Sequence, residues 1–594
     1  MTAGRIRRLA RAAANIPLVA RTVADHVLDD PVVLGLQVSR RLPLPARMRA
    51  GSALGALPGR LADVPAAAGH AAAGRDAQLH ARVERALARG ASDRTRVRLA
   101  DVLLAGGDAE AAGDLLASVP EDAPGRAEAL ARWHWHHGRM RQAVEVLPDT
   151  GRAGRLRARL AAERRALAGG VHLLEPADRR RCLGYTPRPR TALHVLTNSL
   201  PHTGSGYAQR SHSLMLALRD EGWHVEAVTR LGWPVQTGVL HAAGVDEVDG
   251  IRYHRLLPRR LAPGMDRRLG QHARMLLELV LRVRPAVLHT TTHWVNAAVV
   301  AEVAEAVGIP WVYEVRGQLA DTWASIRGPE AVESERYRLF TEREDEAVRR
   351  ADGVVTLGRQ MAARLVAAGA DPDAVVLSPN GVGGAFLGEP TPQGPARDRL
   401  GLDRDLELIG TVSSVVPYEG LHDLVRVLAL LAPRRPRLRL LVVGDGTALP
   451  GLRRLAEELG VADRLITPGR LDRSLAPAAH RALDVFCVPR LDTGVTRSVT
   501  PMKPLEAMAS ARPTLVSDLP ALREIVEHGV TGLCLPASDP QAWAEAVDHL
   551  LEHPGQRADL GRRARQWVLE HRTWAADARA YDRLYARLAV SGAA

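Results

Sequence analysis

The stretch ALHVLTNSLPHTGSGYAQRSHSLMLALR, residues 192–219, decides the fold of this chain. It opens with an apolar run from Ala192 to Thr197, passes through a loop that contains Gly204 and Gly206, and ends in a helical segment. An uninterrupted apolar run before a glycine-containing turn and a helix is typical of a buried parallel strand with its crossover helix. This unit therefore predicts a doubly wound α/β sheet.

The alternation of apolar runs and helical segments continues after this unit and then starts a second time. Strands of a first domain are predicted at 192–197, 224–228, 286–289, 310–315, 353–356 and 375–378. Strands of a second domain are predicted at 406–412, 437–443, 465–467, 485–488 and 513–516. The Pro- and Gly-rich stretch 388–397 is the predicted linker. The predicted fold class is thus α/β, with two Rossmann-like domains at residues 190–385 and 396–570.

The chain before residue 185 is rich in Ala, Leu and Arg and is predicted to be helical throughout. Residues 1–60 form a basic amphipathic segment, and residues 61–185 are predicted as helical hairpins. Residues 100–116 match residues 131–147 at a period of 31, in a pattern that resembles tetratricopeptide repeats. The last segment, 571–594, is predicted as a helix that packs back on the first Rossmann-like domain.

The net charge of +13 belongs entirely to the N-terminal third, because residues 1–190 hold 32 Arg against 19 Asp and Glu. Such an excess favours an anionic partner, and no helix-turn-helix, zinc or RNA-binding motif accompanies it, so nucleic acid is not expected. Apolar residues fall at helical spacings among the arginines: Ile6, Leu9, Ile16, Val19 and Val23. An anionic membrane surface or a protein partner is one interpretation, and a solvated basic face is the alternative.

The three cysteines, Cys182, Cys487 and Cys534, are too far apart for a disulfide framework or a metal motif. A reducing, cytoplasmic location is therefore expected. No stretch approaches 18 uncharged apolar residues, so no transmembrane helix is predicted.

Only one of the 80 basic side chains is a lysine, Lys503, which lies in the stretch VTPMKPLEAMA at residues 499–509. Lysine and arginine stop being interchangeable where a compact ammonium is needed rather than a planar fork. A lysine kept in an arginine-biased chain, three residues before a glutamate, therefore points to a functional position, and chance survival of one lysine is the alternative.

Residues 190–590 resemble a family 4 glycosyltransferase of the GT-B fold, in which two Rossmann-like domains enclose the active site. The resemblance is carried by ordered blocks at 203–211, 289–294, 313–317, 378–382, 444–446, 466–470, 487–490 and 503–506. It implies that Gly204, Ser205 and Gly206 lie beside the donor diphosphate, where a helix N-terminus suits phosphate.

In the first domain the resemblance further implies that His289, His293 and Arg316 contact the transferred sugar or the acceptor, with His293 also a catalytic candidate. For either histidine, a hydrogen-bonded structural role is the alternative.

In the second domain it implies donor contacts from these residues: Gly444, Gly446, Gly469, Arg470, Ser498, Thr500, Lys503 and Glu506. Glu506 is expected to accept hydrogen bonds from the ribose hydroxyls. Arg470 and Lys503 are the catalytic candidates that neutralise the departing diphosphate.

Two positions depart from the family pattern. Ser498 stands where the first glutamate of the E-x7-E motif is expected, and Glu419-Gly420 stands where Lys-Gly commonly supplies a phosphate cation. The changes suggest a subfamily with its own sugar contacts.

The implied activity is retaining, metal-independent hexosyl transfer from a UDP- or GDP-linked sugar, with no cofactor. The implied acceptor is a polyprenyl-linked or polysaccharide glycan of a bacterial cell surface, made at the inner face of the plasma membrane. Two alternatives stay open: a GT-B nucleotide-sugar epimerase or hydrolase, and an inactive scaffold that acts through its helical repeats.

Overall fold

The computed structural model describes residues 3–29, 34–35, 44–57, 59 and 62–591. The rest of the predicted basic segment 1–60, and residues 61 and 592–594, lie outside the described residues.

The N-terminal region is helical, as predicted. Its helices are α1 (Ala3–Asp29), α2 (Leu44–Gly55), α3 (Asp63–Ala73), α4 (Asp76–Ala88), α5 (Asp93–Gly106), α6 (Ala109–Ala117), α7 (Arg126–His136), α8 (Met140–Glu145), α9 (Gly151–Ala168) and α10 (Pro176–Arg180). Asp101 on α5 and Arg132 on α7, which are 31 positions apart, form a two-pronged ion pair at 2.7 and 2.9 Å. The sequence period therefore places equivalent helices side by side, while a tetratricopeptide-like repeat stays a prediction.

The helical region packs on the first α/β domain through both of its ends. Leu18 of α1 is buried in the hydrophobic core of that domain, and the Asn15 amide donates to the carbonyl oxygen of Leu240 at 2.8 Å. At the other end, Arg164 of α9 donates to Glu335 at 2.7 Å. The region is thus fixed to the domain rather than tethered by a linker.

The first α/β domain contains an eight-stranded sheet within the continuously described stretch 62–591, in the order β3-β4-β2-β1-β5-β6-β7-β8. Its strands are β1 (Thr191–Leu196), β2 (His224–Thr229), β3 (Val245–Val248), β4 (Ile251–Arg255), β5 (Val287–Thr291), β6 (Trp311–Val315), β7 (Gly353–Thr356) and β8 (Val375–Leu377). Its helices are α11 (Gly206–Asp220), α12 (Met265–Val283), α13 (Trp294–Val307), α14 (Leu319–Ala324), α15 (Glu335–Arg350) and α16 (Arg359–Ala367).

The second α/β domain contains a six-stranded parallel sheet in the same described stretch, in the order β11-β10-β9-β12-β13-β14. Its strands are β9 (Glu407–Val412), β10 (Leu438–Val443), β11 (Leu465–Gly469), β12 (Val485–Val488), β13 (Thr514–Ser517) and β14 (Leu533–Leu535). Its helices are α17 (Gln393–Asp398), α18 (Leu421–Leu431), α19 (Leu449–Glu458), α20 (Ala476–Ala482), α21 (Gly494–Ser498), α22 (Lys503–Ala509), α23 (Pro520–Arg523), α24 (Pro540–Glu552) and α25 (Pro554–His571). The predicted α/β class with an all-helical N-terminal region is confirmed.

Three strands were not predicted from the sequence: β3, β4 and β14. Strand β3 has the polar sequence VDEV and pairs antiparallel with β4 at the sheet edge, whereas an all-parallel sheet was expected. The Asp249-Gly250 pair connects them with positive φ at both residues, the geometry of a tight hairpin turn. The side chains of β3 are exposed or half-exposed, and β4, although mostly buried, has the sequence IRYHR. Neither strand therefore shows the apolar run on which the prediction relied.

The chain ends in helix α26 (Trp574–Ser591), which returns from the second domain to the first. Tyr581 and Tyr585 of α26 are fully buried in the core beneath β1, β2 and β5. The carboxylate of Asp582 accepts a hydrogen bond from the Trp223 indole at 2.8 Å. The first domain is therefore completed by a segment that follows the second domain in sequence.

Candidate active site

The carboxyl ends of the two sheets face each other at close range. A Cβ placed on Gly206, at the start of α11, would lie 4.0 Å from Met502 Sδ in the second domain. A Cβ placed on Gly317, just after β6, would lie 3.7 Å from a methyl of Val499. The glycine-containing loop of the first domain and the segment that leads into Lys503 are thus brought together, although they are about 300 residues apart in sequence.

Ser205 is the N-cap of α11. Its hydroxyl accepts a hydrogen bond from the backbone N–H of Ala208 at 3.3 Å, as short polar side chains do at helix starts. Gly204 and Gly206 flank it at the edge of the cleft, where the other N–H groups of the first turn are available to an anion. A donor-phosphate role for these three residues stays a prediction.

Lys503 begins α22 and forms an ion pair with Glu419. Its ammonium nitrogen lies 2.5 Å from Glu419 Oε1, and the same carboxylate accepts hydrogen bonds from Arg490 at 3.1 and 3.3 Å. Burial lowers the pKa of Lys503 to about 8, against the opposing effect of the Glu419 charge. Burial alone would raise the pKa of Glu419, but Arg490 and Lys503 hold it at about 2. Two cations and one carboxylate therefore leave one net positive charge within this three-residue cluster, and the carboxylate of Glu506 lies near it.

The backbone fixes this cluster in place. Gly420 has a φ of +66°, and a Cβ there would lie 1.8 Å from the carbonyl oxygen of Pro489. The turn that carries Glu419 consequently rests directly on the end of β12, next to Arg490. Glycine is required at position 420 because any side chain would separate the two strand ends.

Glu506 lies one helical turn after Lys503 and is partly exposed. One carboxylate oxygen lies 3.4 Å from Nε2 of the buried His480. The Thr500 hydroxyl is buried without a hydrogen-bond partner among the described residues. By contrast, the Ser498 hydroxyl donates to the carbonyl oxygen of Gly494 in its own helix at 3.0 Å. Ser498 is therefore satisfied locally, whereas Glu506 lies near Lys503.

Gly444 and Gly446 follow β10, and both are required for close backbone approach. A Cβ at Gly444, whose φ is +145°, would lie 1.8 Å from the carbonyl oxygen of Ser413. Gly444 N–H donates to the carbonyl oxygen of Gly469 at 2.9 Å, and Arg470 follows as an exposed side chain. These residues occupy one edge of the second sheet, at β10 and β11. Their contact with a donor stays a prediction.

His293 follows β5 and caps α13, accepting a hydrogen bond from the backbone N–H of Val295 at 3.2 Å. Burial, followed by the charges of Arg230 and Arg336, lowers the pKa of His293 to about 4. The imidazole is therefore neutral at physiological pH. Its place at the carboxyl end of β5 is compatible with a sugar contact, and its catalytic role stays a prediction.

His289 and Arg316, expected to contact sugar or acceptor, are instead tied into the interior. The His289 ring is fully buried, hydrogen-bonded to Tyr585 at 2.6 Å and to Glu314 at 3.2 Å. Arg316 donates to Glu314 at 2.6 Å and to the backbone carbonyl oxygen of Tyr207 at 2.9 Å. Both side chains contact protein rather than the cleft, because their polar atoms balance a buried carboxylate. The structure thus gives them a supporting role.

Glu314 is the centre of this buried cluster, and the sequence reasoning missed it. Arg210 of α11 donates to it at 2.8 Å and also to the backbone carbonyl oxygens of Ser378 and Pro379, where the chain leaves the first domain. These cations hold the pKa of Glu314 well below its usual value, against the effect of burial. The available signal was a glutamate inside the apolar strand WVYEV, since a buried charge requires a partner.

Among the described residues, no group of three or more His, Cys, Asp or Glu side chains is arranged to hold a metal ion.

Two family sequence models match the chain. The glycosyl transferase 4-like domain matches residues 205–381, and the glycosyl transferases group 1 domain matches residues 393–567. Together they cover most of both α/β domains, from α11 to α25. A D-inositol 3-phosphate glycosyltransferase of Xylanimonas cellulosilytica is 30% identical over 401 residues, which are 64% of this chain and 92% of that protein.

The chain belongs to glycosyltransferase family 4. A further relative of this glycosyltransferase is a GDP-mannose-dependent alpha-(1-6)-phosphatidylinositol monomannoside mannosyltransferase of Mycolicibacterium smegmatis. It is 31% identical over 227 residues, which are 38% of this chain and 59% of that protein.

Solved structures show the same GT-B fold. Sucrose-phosphate synthase from Thermosynechococcus elongatus aligns with a TM-score of 0.55 at 22% identity, over 68% of this chain and all of that one. Anabaena HepE in complex with UDP-glucose aligns with a TM-score of 0.51 at 17% identity, over 67% of this chain and 99% of that one. The helical region before residue 185 lies outside both family models, so the catalytic fold occupies about two-thirds of this glycosyltransferase.

Proposed function

We propose that this glycosyltransferase transfers a hexose from a GDP- or UDP-linked donor, with retention at the anomeric carbon, to a lipid-linked or polysaccharide acceptor. The observation that carries the proposal is the meeting of two anion-binding features across the cleft. The capped N-terminus of α11 lies on one side, and Lys503, with its net positive cluster, lies on the other. A diphosphate between them would meet backbone N–H groups and an ammonium at once.

In the proposed reaction the bond between the sugar C1 and the diphosphate oxygen breaks, and its electron pair leaves with the phosphate. The acceptor hydroxyl attacks the same face of an oxocarbenium-like sugar and transfers its proton to the departing phosphate oxygen. Positive charge at the leaving group is the contribution expected to be largest. Lys503 is assigned that task, and Glu506, one turn later, is assigned the ribose hydroxyls.

The relatives support the general kind of substrates. One is named for GDP-mannose and a phosphatidylinositol mannoside, and another for D-inositol 3-phosphate. We therefore place GDP-mannose first among donors to test, and inositol phosphates and phosphatidylinositol mannosides first among acceptors, with polyprenyl-linked glycans next.

The test is nucleoside diphosphate release from a panel of GDP-, UDP- and ADP-sugars, with and without acceptor. Acceptor-dependent release and a glycosylated product would support the proposal. Release or conversion of the donor without acceptor would instead indicate an epimerase or hydrolase. Release from no donor, with or without membrane extract, would leave the scaffold alternative and exclude the enzymatic one.

We also propose that α1 places the enzyme on an anionic membrane, where a lipid-linked acceptor resides. Leu9, Ile16 and Val23 are all exposed and are seven residues apart, which puts them on one line along the helix. Exposed Arg5, four residues before Leu9, lies near this line. Exposed apolar side chains among arginines are the pattern of helices that lie in a lipid interface. No helix among the described residues is long and apolar enough to cross a bilayer.

The membrane proposal is tested with substitutions on the exposed face, because deleting residues 1–60 would also remove Leu18 from the core of the first domain. The triple variant Leu9→Ser, Ile16→Ser, Val23→Ser should lose binding to phosphatidylglycerol-containing vesicles in flotation at low salt. The matched control is Leu183→Ser, which changes an exposed leucine outside α1. Equal binding of wild type, triple variant and control would overturn the proposal.

A further inference from the structure

One carboxylate at the cleft holds two cations that come from different parts of the second domain. Glu419 follows β9, Arg490 follows β12, and Lys503 begins α22. The Arg490 guanidinium uses two of its donors on Glu419 and a third on the backbone carbonyl oxygen of Val499, at 2.9 Å. Each of the three guanidinium nitrogens of Arg490 thus contacts protein.

Lys503 differs from Arg490 in what remains available. An ammonium has three N–H donors, and the contact with Glu419 occupies one of them. The Lys503 side chain keeps 18% of its surface exposed, but its ammonium nitrogen is buried and, apart from the ion pair with Glu419, has no partner among the described residues. A buried ammonium with unused donors requires a further acceptor, which a ligand in the cleft would supply. The Glu419 carboxylate determines where that ammonium lies.

We propose that Glu419 is a positioning residue of the donor site, which holds Lys503 against the leaving phosphate and keeps it charged, while Arg490 fixes the carboxylate. This role rests on the proposed function, because the leaving group is a nucleoside diphosphate only if that function is correct. The site then still has a cation for the phosphate, although residue 419 is acidic, because Lys503 supplies it.

The charges around Lys503 come from several elements. Besides Glu419 and Arg490, Glu506 faces it from its own helix, and His480 of α20 lies behind Glu506. Arg565 of α25 packs at the opposite end of α22, on the carbonyl oxygen of Ala509. Glu419 is the negative group in direct contact with the ammonium.

The test compares Glu419→Gln with wild type and with Glu407→Gln. Glu407 begins the same strand, β9, at the end away from the cleft, and also contacts an arginine, Arg435, at 2.9 Å. We would measure GDP and UDP binding by calorimetry from pH 6 to 10, and kcat/KM of the donor identified in the panel over the same range.

In wild type, nucleotide affinity should fall as pH rises through the pKa of Lys503, near 8. In Glu419→Gln the removal of the negative charge should lower the pKa of Lys503, so that the fall moves to lower pH by about one unit or more. At neutral pH, kcat/KM should drop by about 10-fold or more. Glu407→Gln should keep the wild-type pH profile and affinity.

A second variant distinguishes the loss of the ion pair from a loss of folding. The exchange Glu419→Lys with Lys503→Glu keeps the ion pair and returns the ammonium to position 419. It should recover at least about 10-fold of the activity that Lys503→Glu alone loses.

Three outcomes separate the proposals. If wild type binds neither GDP nor UDP, the proposed function fails. If wild type binds and Glu419→Gln lowers only the melting temperature, with an unchanged pH midpoint, Glu419 is merely the counter-ion of Arg490 and the inference is overturned. A pH midpoint shifted to lower values in a folded Glu419→Gln variant, with the exchange variant rescued, supports it.

Discussion

The two domains each contain a carboxylate between two cations, and the two clusters do different work. In the first domain Glu314 lies between Arg210 and Arg316, and all three side chains are almost completely buried. In the second domain Glu419 lies between Arg490 and Lys503, and the lysine reaches the cleft. The two clusters contain nearly the same types of residue, but they differ in how accessible they are to a ligand.

The difference lies in how far each cation is enclosed by the protein. Arg210 and Arg316 donate to backbone carbonyl oxygens, including those of Ser378 and Tyr207. They thereby join α11, β6 and the inter-domain crossing. The Lys503 side chain is 18% exposed, compared with 2% for Arg210 and 1% for Arg316. A charged cluster is thus structural when all of its side chains are enclosed, and open to a ligand when one of them borders the cleft.

The largest expected effect is on the first cluster. Glu314→Gln should leave two buried guanidinium groups without a counter-charge and lower the free energy of unfolding of the first domain by about 3–5 kcal/mol. Urea unfolding followed by tryptophan fluorescence measures this change. Glu419→Gln, in the more accessible cluster, is the matched comparison and should cost clearly less. Equal losses would erase the proposed distinction between the clusters.

The next effect is on activity. Lys503→Ala should reduce kcat by about 10²–10³-fold, because a preorganised charge at the leaving group is lost. Its melting temperature should change little, because the Glu419 carboxylate keeps Arg490 as its counter-ion. Donor turnover and a thermal melt measure the two quantities. Arg470→Ala is the control: if it is the inactive variant and Lys503→Ala keeps its activity, the phosphate role belongs to Arg470.

The smallest effect concerns Asp577 of α26, which accepts a hydrogen bond from Ser378 at 3.0 Å beside the first cluster. Burial raises the pKa of Asp577 to about 6. Since the folded state holds this proton more tightly, the associated stability is full below about pH 4 and is lost as pH rises through 6. The loss amounts to about 3 kcal/mol at most.

Asp577→Asn should remove that dependence. Urea midpoints at pH 4, 5, 6 and 7 would show a stability curve that is flatter than that of wild type. Parallel curves for the two proteins would mean that Asp577 titrates with its ordinary pKa in the folded state.

Most of the strands were predictable because each is a short apolar run between helical segments. Two of the three missed strands lie outside that pattern, because β3 and β4, VDEV and IRYHR, contain several charged residues. The third, β14, is a three-residue strand at the edge of the second sheet. Lys503 could be singled out from composition alone. Glu419 and Arg490 could not be joined to it, because 71 and 84 positions separate Glu419 from its two partners.

At His289 and Arg316 the sequence predicted a ligand contact, whereas the structure shows buried side chains. Both follow or end predicted strands, where ligands bind in doubly wound sheets, and the sequence therefore placed them at the sugar. His289 is covered by α26, which returns from the far end of the chain and brings Tyr585 within 2.6 Å of it. No sequence feature near residue 289 predicts that contact. Arg316 is held by Tyr207 and Ser211 of α11.

The sequence by itself determined the two α/β domains, the helical N-terminal region, the family and the isolation of Lys503, because each depends on local apolar periodicity, motif order or composition. The tertiary structure alone decided which charged side chains have a structural role and which border the cleft. Burial and pairing arise when distant strand ends, turns and the final helix pack together, and those distances have no counterpart in a local pattern.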